Sequence, residues 1–496
     1  MPVMAIFNTD ELGLYISIPF CRSKCTYCNF ASGVYPASEH ARYVSRLIED
    51  LQAAGKWAAR MGVALPRRVD TVYLGGGTPS LLAPELLTRL FAAMRSEFDL
   101  EPDAEITVEC APGQIADETL DALIRAGVNR VSLGVQSFID REAATSGRLH
   151  TRAVVEEDLR RLRAAGIANL NVDLIAGLAG QTFASWHESL AALIGSGVPH
   201  ASVYMLEVDD DSRLGREMLA HGARYHAGLV PNDDAIAQMY SLAIERLAAA
   251  GLGQYEISNF CRPGFASRHN LRYWQRRPYL GLGLDASSML CEAPAFNPVD
   301  ENSSLEGTVL KGHGFSRAVE PPKEIAALAA EGMQVTTDAF PQGLKPNAQL
   351  PAFAARLKSC PFKADESVVS GSFSAASSEG YILRTTSTDD LAAHLAGPAP
   401  IETAWLSPDR QHEEAWFLGL RLNAGVEVAA IKREFGPERV ARAMETVARL
   451  AEDGLLTSDG NTVHLTAQGQ LLSNNVFQEF LEFTAEEVGV GEETQA

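Results

Sequence analysis

The segment Cys21-Arg22-Ser23-Lys24-Cys25-Thr26-Tyr27-Cys28 places three thiols within eight residues. It follows an apolar run, Leu14-Tyr15-Ile16-Ser17-Ile18, whose composition predicts a β-strand. Pro19-Phe20 ends that strand and opens a tight loop. Thiols this close together on a loop can converge on one point. On a cuboidal iron–sulfur cluster, three thiolates fill three of the four irons and leave the fourth open, and an open coordination position is where chemistry takes place. The competing reading is a zinc knuckle or three buried thiols. Structural zinc asks for four closed ligands, and no further Cys or His lies in the ten residues after Cys28.

Length and composition bound the rest. A chain of 496 residues can bury a large core and has room for two or three domains. The net charge of −21 argues against general nucleic-acid binding, where a basic footprint supplies most of the affinity. It also gives no pull towards an anionic membrane surface. The remaining cysteines (Cys110, Cys261, Cys291, Cys360) are scattered without a disulfide-like pattern, which suits a reducing cytoplasm. Residues 1–10 lack a basic stretch followed by an apolar core, so no signal or transit peptide is expected. No apolar run is long enough to span a membrane.

After the cysteine loop, strand and helix patterns alternate. Helices are expected at Glu39–Met61, Pro84–Phe98, Glu118–Ala126, Arg152–Ala165, Phe183–Ile194 and Asp233–Ala250. Strands are expected at Val69–Leu74, Glu105–Glu109, Arg130–Leu133, Leu170–Ile175, Ala201–Leu206 and Gln254–Ile257. Such alternation means βα units and a parallel sheet, and six or seven units suggest a partial or full barrel. Chemistry then sits at the C-terminal ends of the strands. The unusual residues fall there: Gly75-Gly76-Gly77-Thr78-Pro79, Glu109, Gln136, Gly147-Arg148 and Asp173. The glycines let the backbone approach a ligand closely and offer it N–H groups.

The C-x3-C-x2-C spacing, with an aromatic residue before the last cysteine, resembles the radical S-adenosylmethionine (SAM) signature. That resemblance implies a [4Fe–4S] cluster whose open iron chelates SAM, and a partial (β/α)6 TIM-like barrel within the α/β class. Within the superfamily, residues 12–290 and 380–483 resemble the oxygen-independent coproporphyrinogen III oxidase-like group. The resemblance implies a SAM site made of Tyr15, Tyr27, Gly76, Gly77, Thr78, Glu109, Gln136, Arg148 and Asp173. Tyr15 would lie beside the methionine moiety and Tyr27 near the adenine. Glu109 would accept bonds from the ribose diol, and Arg148 would pair with the carboxylate. Ala179 departs from the proline usual in Gly177-Leu178-Ala179-Gly180.

Two branches of that group must be separated. The oxidases carry a further cysteine in a Cys-x-Cys arrangement, whereas here Cys28 is followed by Asn29-Phe30-Ala31. The heme-chaperone branch lacks that cysteine and carries His-Asn-x-x-Tyr-Trp, present here as His269-Asn270-Leu271-Arg272-Tyr273-Trp274. Around it lie five arginines (262, 268, 272, 276 and 277) and no acid between Arg262 and Arg277, a local inversion of sign in an acidic chain. Guanidinium groups pair well with propionates, His269 could ligate heme iron, and Tyr273 and Trp274 offer flat faces to a macrocycle. The heme-binding residues implied are His269, Asn270, Tyr273 and Trp274. One departure is Gly281-Leu282-Gly283-Leu284-Asp285-Ala286-Ser287, where Ser287 stands in place of the usual family histidine.

The expected domains are a lead at 1–11, the barrel at 12–290, a Ser/Pro/Ala-rich insertion at 291–380, a winged-helix-like domain at 381–483 that covers the barrel mouth, and an acidic tail at 484–496. Within the insertion, only Lys323–Glu331 reads as ordered. In the C-terminal part, helices are expected at Glu413–Leu422, Val428–Phe435, Pro437–Glu452 and Ala467–Phe483, with a hairpin at Leu455–Thr466 closed around Asp459-Gly460. The first functional reading is a heme chaperone that delivers heme to an apo-protein, a respiratory membrane enzyme for instance, with an electron donor as further partner. It would be cytoplasmic and peripheral to the inner membrane through partners. The second is an anaerobic coproporphyrinogen III dehydrogenase, and the third a zinc-stabilised binding protein that keeps only the barrel.

Overall fold

The computed structural model describes residues 10–293, 380–398 and 401–481. The expected lead as far as residue 9, most of the insertion with Lys323–Glu331 and Cys360, and the acidic tail lie outside the described residues. The barrel begins with β1 (Glu11–Ile18), α1 (Ala37–Met61), β2 (Arg68–Gly76), α2 (Pro84–Glu97), β3 (Asp99–Cys110) and α3 (Asp117–Arg125). It continues with β4 (Arg130–Gln136), α4 (Asp140–Thr145), α5 (Arg152–Ala164), β5 (Asn169–Ala176), α6 (Phe183–Ser196), β6 (His200–Met205), α7 (Arg213–Leu219) and α8 (Asp233–Ala249). Strands β1 to β6 pair in sequence order and parallel, as the alternating pattern predicts.

Period-two alternation explains the layering. Leu12, Leu14, Ile16 and Ile18 of β1 are fully buried. They join a core with Tyr43, Val44, Leu47 and Leu51 of α1, which recur at helical spacing. Burying each such side chain contributes on the order of 1.5–3 kcal/mol. The intervening residues, Gly13, Tyr15 and Ser17, face inward. Helix α1 stops at Gly62, whose φ of 70° suits a residue without a side chain. Helix α6 starts on a Thr182–Ser185 capping box.

The expected seventh βα unit is not one. β7 (Gly253–Glu256) turns at once into β8 (Asn259–Cys261), which runs antiparallel to both β7 and β6. This hairpin ends the barrel at six parallel units and leaves one side open. Helix α9 (Arg268–Trp274) follows, then β9 (Tyr279–Leu282), which pairs parallel with β1 at the other edge. β10 (Ser287–Cys291), β11 (Ile382–Ser387) and β12 (Ile401–Leu406) extend that edge antiparallel, with α10 (Leu391–Ala396) between the last two. Residues 382–406 therefore belong to the barrel sheet, not to the C-terminal module expected from 381. Glu292 N–H donates to the Tyr381 carbonyl at 3.0 Å, so the long insertion leaves and rejoins a hairpin at one point.

The C-terminal module starts at α11 (Pro408–Leu420) and continues with β13 (Val426–Glu427), α12 (Val428–Phe435), α13 (Pro437–Glu452), β14 (Leu456–Ser458) and β15 (Thr462–Leu465). The three strands form a small antiparallel sheet, the winged arrangement expected. The final helix is two short ones, α14 (Ala467–Leu471) and α15 (Ser473–Gln478), broken at Leu472. The break turns Phe477 and Phe480 into the module's core, where Phe480 stacks on Trp416. The module touches both edges of the open side. Arg384 of β11 pairs with Glu414 at 2.7 Å, and Arg421 pairs with Glu256 of β7 at 3.3 Å. Among the described residues no helix is long and apolar enough to cross a membrane.

Candidate functional site

The cysteine loop is fastened from three sides. Cys21 N–H donates to the Gly33 carbonyl at 2.8 Å, and Lys24 folds back to donate to the Phe30 and Ser32 carbonyls at 2.6 and 2.8 Å. Thr26 N–H reaches Ser146, while Leu214 N–H reaches Thr26. Asn29 donates to Asp209 at 3.0 Å. Segments after β4 and β6 therefore hold a loop that follows β1.

The three sulfurs share one electrostatic environment. Burial pushes the Cys21 thiol up, Thr78 and Ser32 pull it back, and Cys28 and Cys25 raise it again. Arg148 Nη1 lies 3.6 Å from Cys25 Sγ. Burial opposes the charge on Arg148, but Tyr27 and Cys25 outweigh it and the guanidinium is held above its ordinary value. A cation against the most buried of three thiols suits a thiolate-held cluster. Among the described residues, no three His, Cys, Asp or Glu side chains are grouped to hold one metal ion. Structural zinc asks for a fourth ligand, whereas three thiolates suffice for a cuboidal cluster with one open iron. The donor set fits the cluster.

The glycine loop differs from expectation. Gly76 N–H is bonded to the Glu109 carboxylate, Gly77 N–H to the Ile18 carbonyl and Thr78 N–H to the Phe20 carbonyl. These donors are spent on holding the loop to β1 and β3. What remains for a ligand is carbonyl oxygen, the right partner for an ammonium group. A side chain on Gly77 would strike the backbone of Ile18 and Phe20 at 2.8 Å, and Gly76 has φ +97°. Close packing and a left-handed turn therefore require these two glycines.

Gln136, Arg148, Tyr27, Glu109 and Asp173 gather around the same end of the barrel. Gln136 has φ 69° and a buried side-chain oxygen without a partner. A non-glycine residue in that conformation is uncommon and marks a constrained site. Arg148 also donates to the Gly134 carbonyl. Asp173 accepts from Ser132 at 3.1 Å and Asn171 at 2.6 Å, and burial raises it. Deeper in the barrel, Tyr15 stacks on Tyr73, with ring centroids 6.1 Å apart.

Glu109 accepts from Tyr73 at 2.8 Å, yet burial pushes its carboxyl up to about 7. From the ordinary value of 4.5 up to about 7, the folded protein binds a proton that the unfolded chain has lost. Stability then falls as pH rises through that window, by at most roughly 3 kcal/mol. Glu109→Gln should flatten this slope. Urea midpoints at pH 5 and pH 8 check it, and parallel curves for wild type and variant would refute it.

The His-Asn-x-x-Tyr-Trp segment is helix α9, placed against the start of the barrel strands. His269 is fully buried, with Nδ1 2.9 Å from Thr71 Oγ1 and Nε2 2.8 Å from Tyr273 OH. Burial, with Arg272 and Arg130 nearby, holds the imidazole well below its ordinary value, so it is neutral. An iron ligated by this ring would have to displace one of those bonds. Tyr273 and Trp274 stand at 69° to each other and form no common flat face. Trp274 packs on the C-terminal core, with Arg421 4.2 Å above its ring. Asn270 lies at the start of the helix, its N–H on Ser267.

The arginines are not an open clamp for propionates. Arg272 pairs with Asp70, Arg277 with Glu11 and Asp70, Arg276 with Glu434, and Arg268 with Asp70 and Asp103. The local excess of positive charge is balanced by acids from distant segments, and only Arg262 of the five is exposed without such a pair among the described residues.

Comparison with known proteins places this geometry. The radical SAM superfamily model matches residues 15–193, and the HemN C-terminal domain model matches residues 406–472. A heme chaperone HemW of Lactococcus lactis is 30% identical over 471 residues, covering 94% of this chain and 96% of that one. A heme chaperone HemW of Mycobacterium tuberculosis is 35% identical over 327 residues, 64% of this chain and 80% of its own. The chain belongs to the HemW family. The coproporphyrinogen III oxidase HemN of Escherichia coli has the same fold, with a TM-score of 0.67 at 19% identity over 96% of this chain and 92% of that one.

Membership in this radical SAM family implies a [4Fe–4S] cluster and SAM. The HemW-family chain also shows what replaces two expected features. Phe30, where the Cys-x-Cys arrangement would put the oxidases' further cysteine, accepts from Lys24 through its carbonyl at 2.6 Å, and Asn29 beside it fastens the loop to Asp209. Ser287, in place of the usual histidine, meets Thr386 Oγ1 at 3.2 Å on the neighbouring strand. Sequence reading missed Tyr73, the partner of Glu109. Its inward position two residues after Thr71 was the available signal.

Proposed function

We propose that this chain is a heme chaperone that binds heme beside a SAM-ligated [4Fe–4S] cluster and hands the heme to an acceptor apo-protein. The observation that carries the reading is likeness to a heme chaperone over 96% of that protein's length. Cys21, Cys25 and Cys28 would hold the cluster. Gly76, Gly77 and Thr78 would face the SAM amino group, Arg148 its carboxylate, and Glu109 its ribose. Gln136, Asp173, Tyr15 and Tyr27 would complete that site. When bound, the cluster supplies one-electron chemistry at the sulfonium, for which an electron donor is a partner. Arg148 keeps a positive charge beside Cys25, and Tyr73 holds Glu109 in place. A respiratory membrane enzyme is the proposed recipient, reached from the cytoplasm through protein contacts at the inner membrane.

His269, Asn270, Tyr273 and Trp274 are the proposed heme contacts. Ligation by His269 requires its bond to Tyr273 to open, and the neutral ring is able to ligate once it has. Heme titration therefore has three expected results: binding by wild type, loss in His269→Ala, and binding at least as tight in Tyr273→Phe, which lacks the competing hydroxyl. The same preparations should show no coproporphyrinogen turnover. Turnover without heme binding would replace this reading with the oxidase.

A further inference from the structure

The barrel lumen holds a buried cation that the fold does not neutralise. Arg130 opens β4 and is 1% exposed. Its side chain shares the inward face of the strand with Ser132, which bonds to Asp173. Among the described residues no acid pairs with its guanidinium and no acceptor bonds to it, and its Nε is buried without a partner. Other guanidinium groups with little exposure are treated differently. Arg272 has Asp70, Arg276 has Glu434 and Arg384 has Glu414.

The neighbours of Arg130 repeat the pattern. In the sheet register it stands between Thr107 of β3 and Asn169 of β5. Thr107 Oγ1 and Asn169 Oδ1 are also buried without partners. Three adjacent strands thus present a row of unsatisfied polar groups. Buried polar groups are ordinarily bonded, and a row of exceptions calls for a missing partner. For Arg130 and Thr107 the partner is an acceptor, because a guanidinium only donates and the hydroxyl can, and it must be anionic to offset the charge; Asn169 Oδ1, itself an acceptor, takes no bond from such a partner. The planar fork matches a carboxylate in two bonds.

We infer that Arg130 is an anion-binding residue inside the barrel that takes a carboxylate of the bound ligand, with the Thr107 hydroxyl as a second donor. Resting on the heme-carrier reading, this carboxylate is a heme propionate. Glu109 and Asp173 are the acids on whose carboxyls Arg130 acts at longer range. His269 shares the same space, since Arg130 contributes to holding its ring neutral.

The test uses full-length protein with its cluster, as wild type, Arg130→Gln and Arg130→Met. The probes are heme, heme dimethyl ester and sodium propionate. Wild type should bind heme roughly tenfold or more tighter than the diester, and both variants should lose that preference. Both variants should also melt no lower than wild type, because an unpaired buried charge has been removed. A retained preference, or a lower melting midpoint in both variants, overturns the proposal. If wild type binds neither porphyrin, the heme-carrier reading fails. Propionate raising the melting midpoint of wild type and not of the variants would still support the anion site. No such rise, together with no porphyrin binding, overturns both.

Discussion

Cys25→Ala protein, purified without air, contains almost none of the roughly four irons per chain that a cuboidal cluster brings, and its iron–sulfur absorbance is lost. The expectation follows from the donor count. Three thiolates on four irons leave one iron open, losing one leaves two without a protein ligand, and no fourth cysteine lies on the loop to take over. Cys110 cannot substitute. It is buried on β3, and burial pushes its thiol up to about 12, so it does not form a thiolate at neutral pH. Cys110→Ala should therefore keep full iron content and serves as the control. The loop itself should survive the loss of Cys25, because main-chain bonds from Cys21, Thr26 and Leu214 fasten it. Iron and acid-labile sulfide are the measurements, with circular dichroism as the check on folding. Full iron content in Cys25→Ala would overturn the cluster assignment.

How far the sequence could be read depends on the range of the interactions involved. The barrel units were legible because strand and helix periodicities are local, and their boundaries fall within a few residues of the expected places except at the start of β3, which lies at Asp99 and not Glu105. The cysteine loop was legible for the same reason, since its three thiols are near neighbours in the chain. The hairpin of β7 and β8 was not. Its second strand, Asn259–Cys261, is too short to show alternation, and only its pairing with β6 and β7 defines it. The sheet extension through β11 and β12 was also hidden, because a long insertion separates β10 from the strand it pairs with. At the glycine loop the expected amide donors are taken up by the protein itself. Nothing in Gly75-Gly76-Gly77 indicates that Ile18, Phe20 and Glu109 consume the amide donors. The arginine-rich stretch misled most. Sequence proximity shows five cations without an acid, whereas folding brings Glu11, Asp70, Asp103 and Glu434 to four of them.

That correction leads to the largest expected effect on stability, at Asp70. Arg272 is fully buried and donates to Asp70, to the Pro278 carbonyl at 2.8 Å and to the Glu11 carbonyl at 3.3 Å. Burial works against its charge and lowers it, with Asp70 as the main opposing influence. Asp70 Oδ2 also lies 3.7 Å from Arg268 and 3.6 Å from Arg277. One carboxylate on β2 thus holds three cations around α9. Asp70→Asn keeps the shape and removes the charge, leaving Arg272 buried and uncompensated. Breaking such a pair costs about 3–5 kcal/mol, which a fall in the urea midpoint would report. The double variant Asp70→Leu/Arg272→Met should recover most of that loss, because neither charge is then buried. Gly13→Ala should also be costly, since its added carbon would lie 2.5 Å from Arg272 Cδ. Heme binding should follow the same order, because α9 carries His269 and is tied to the barrel through Arg272. If Asp70→Asn retains the wild-type midpoint, Arg272 is neutralised by something other than this pair, and the propionate reading of the arginine stretch regains its basis.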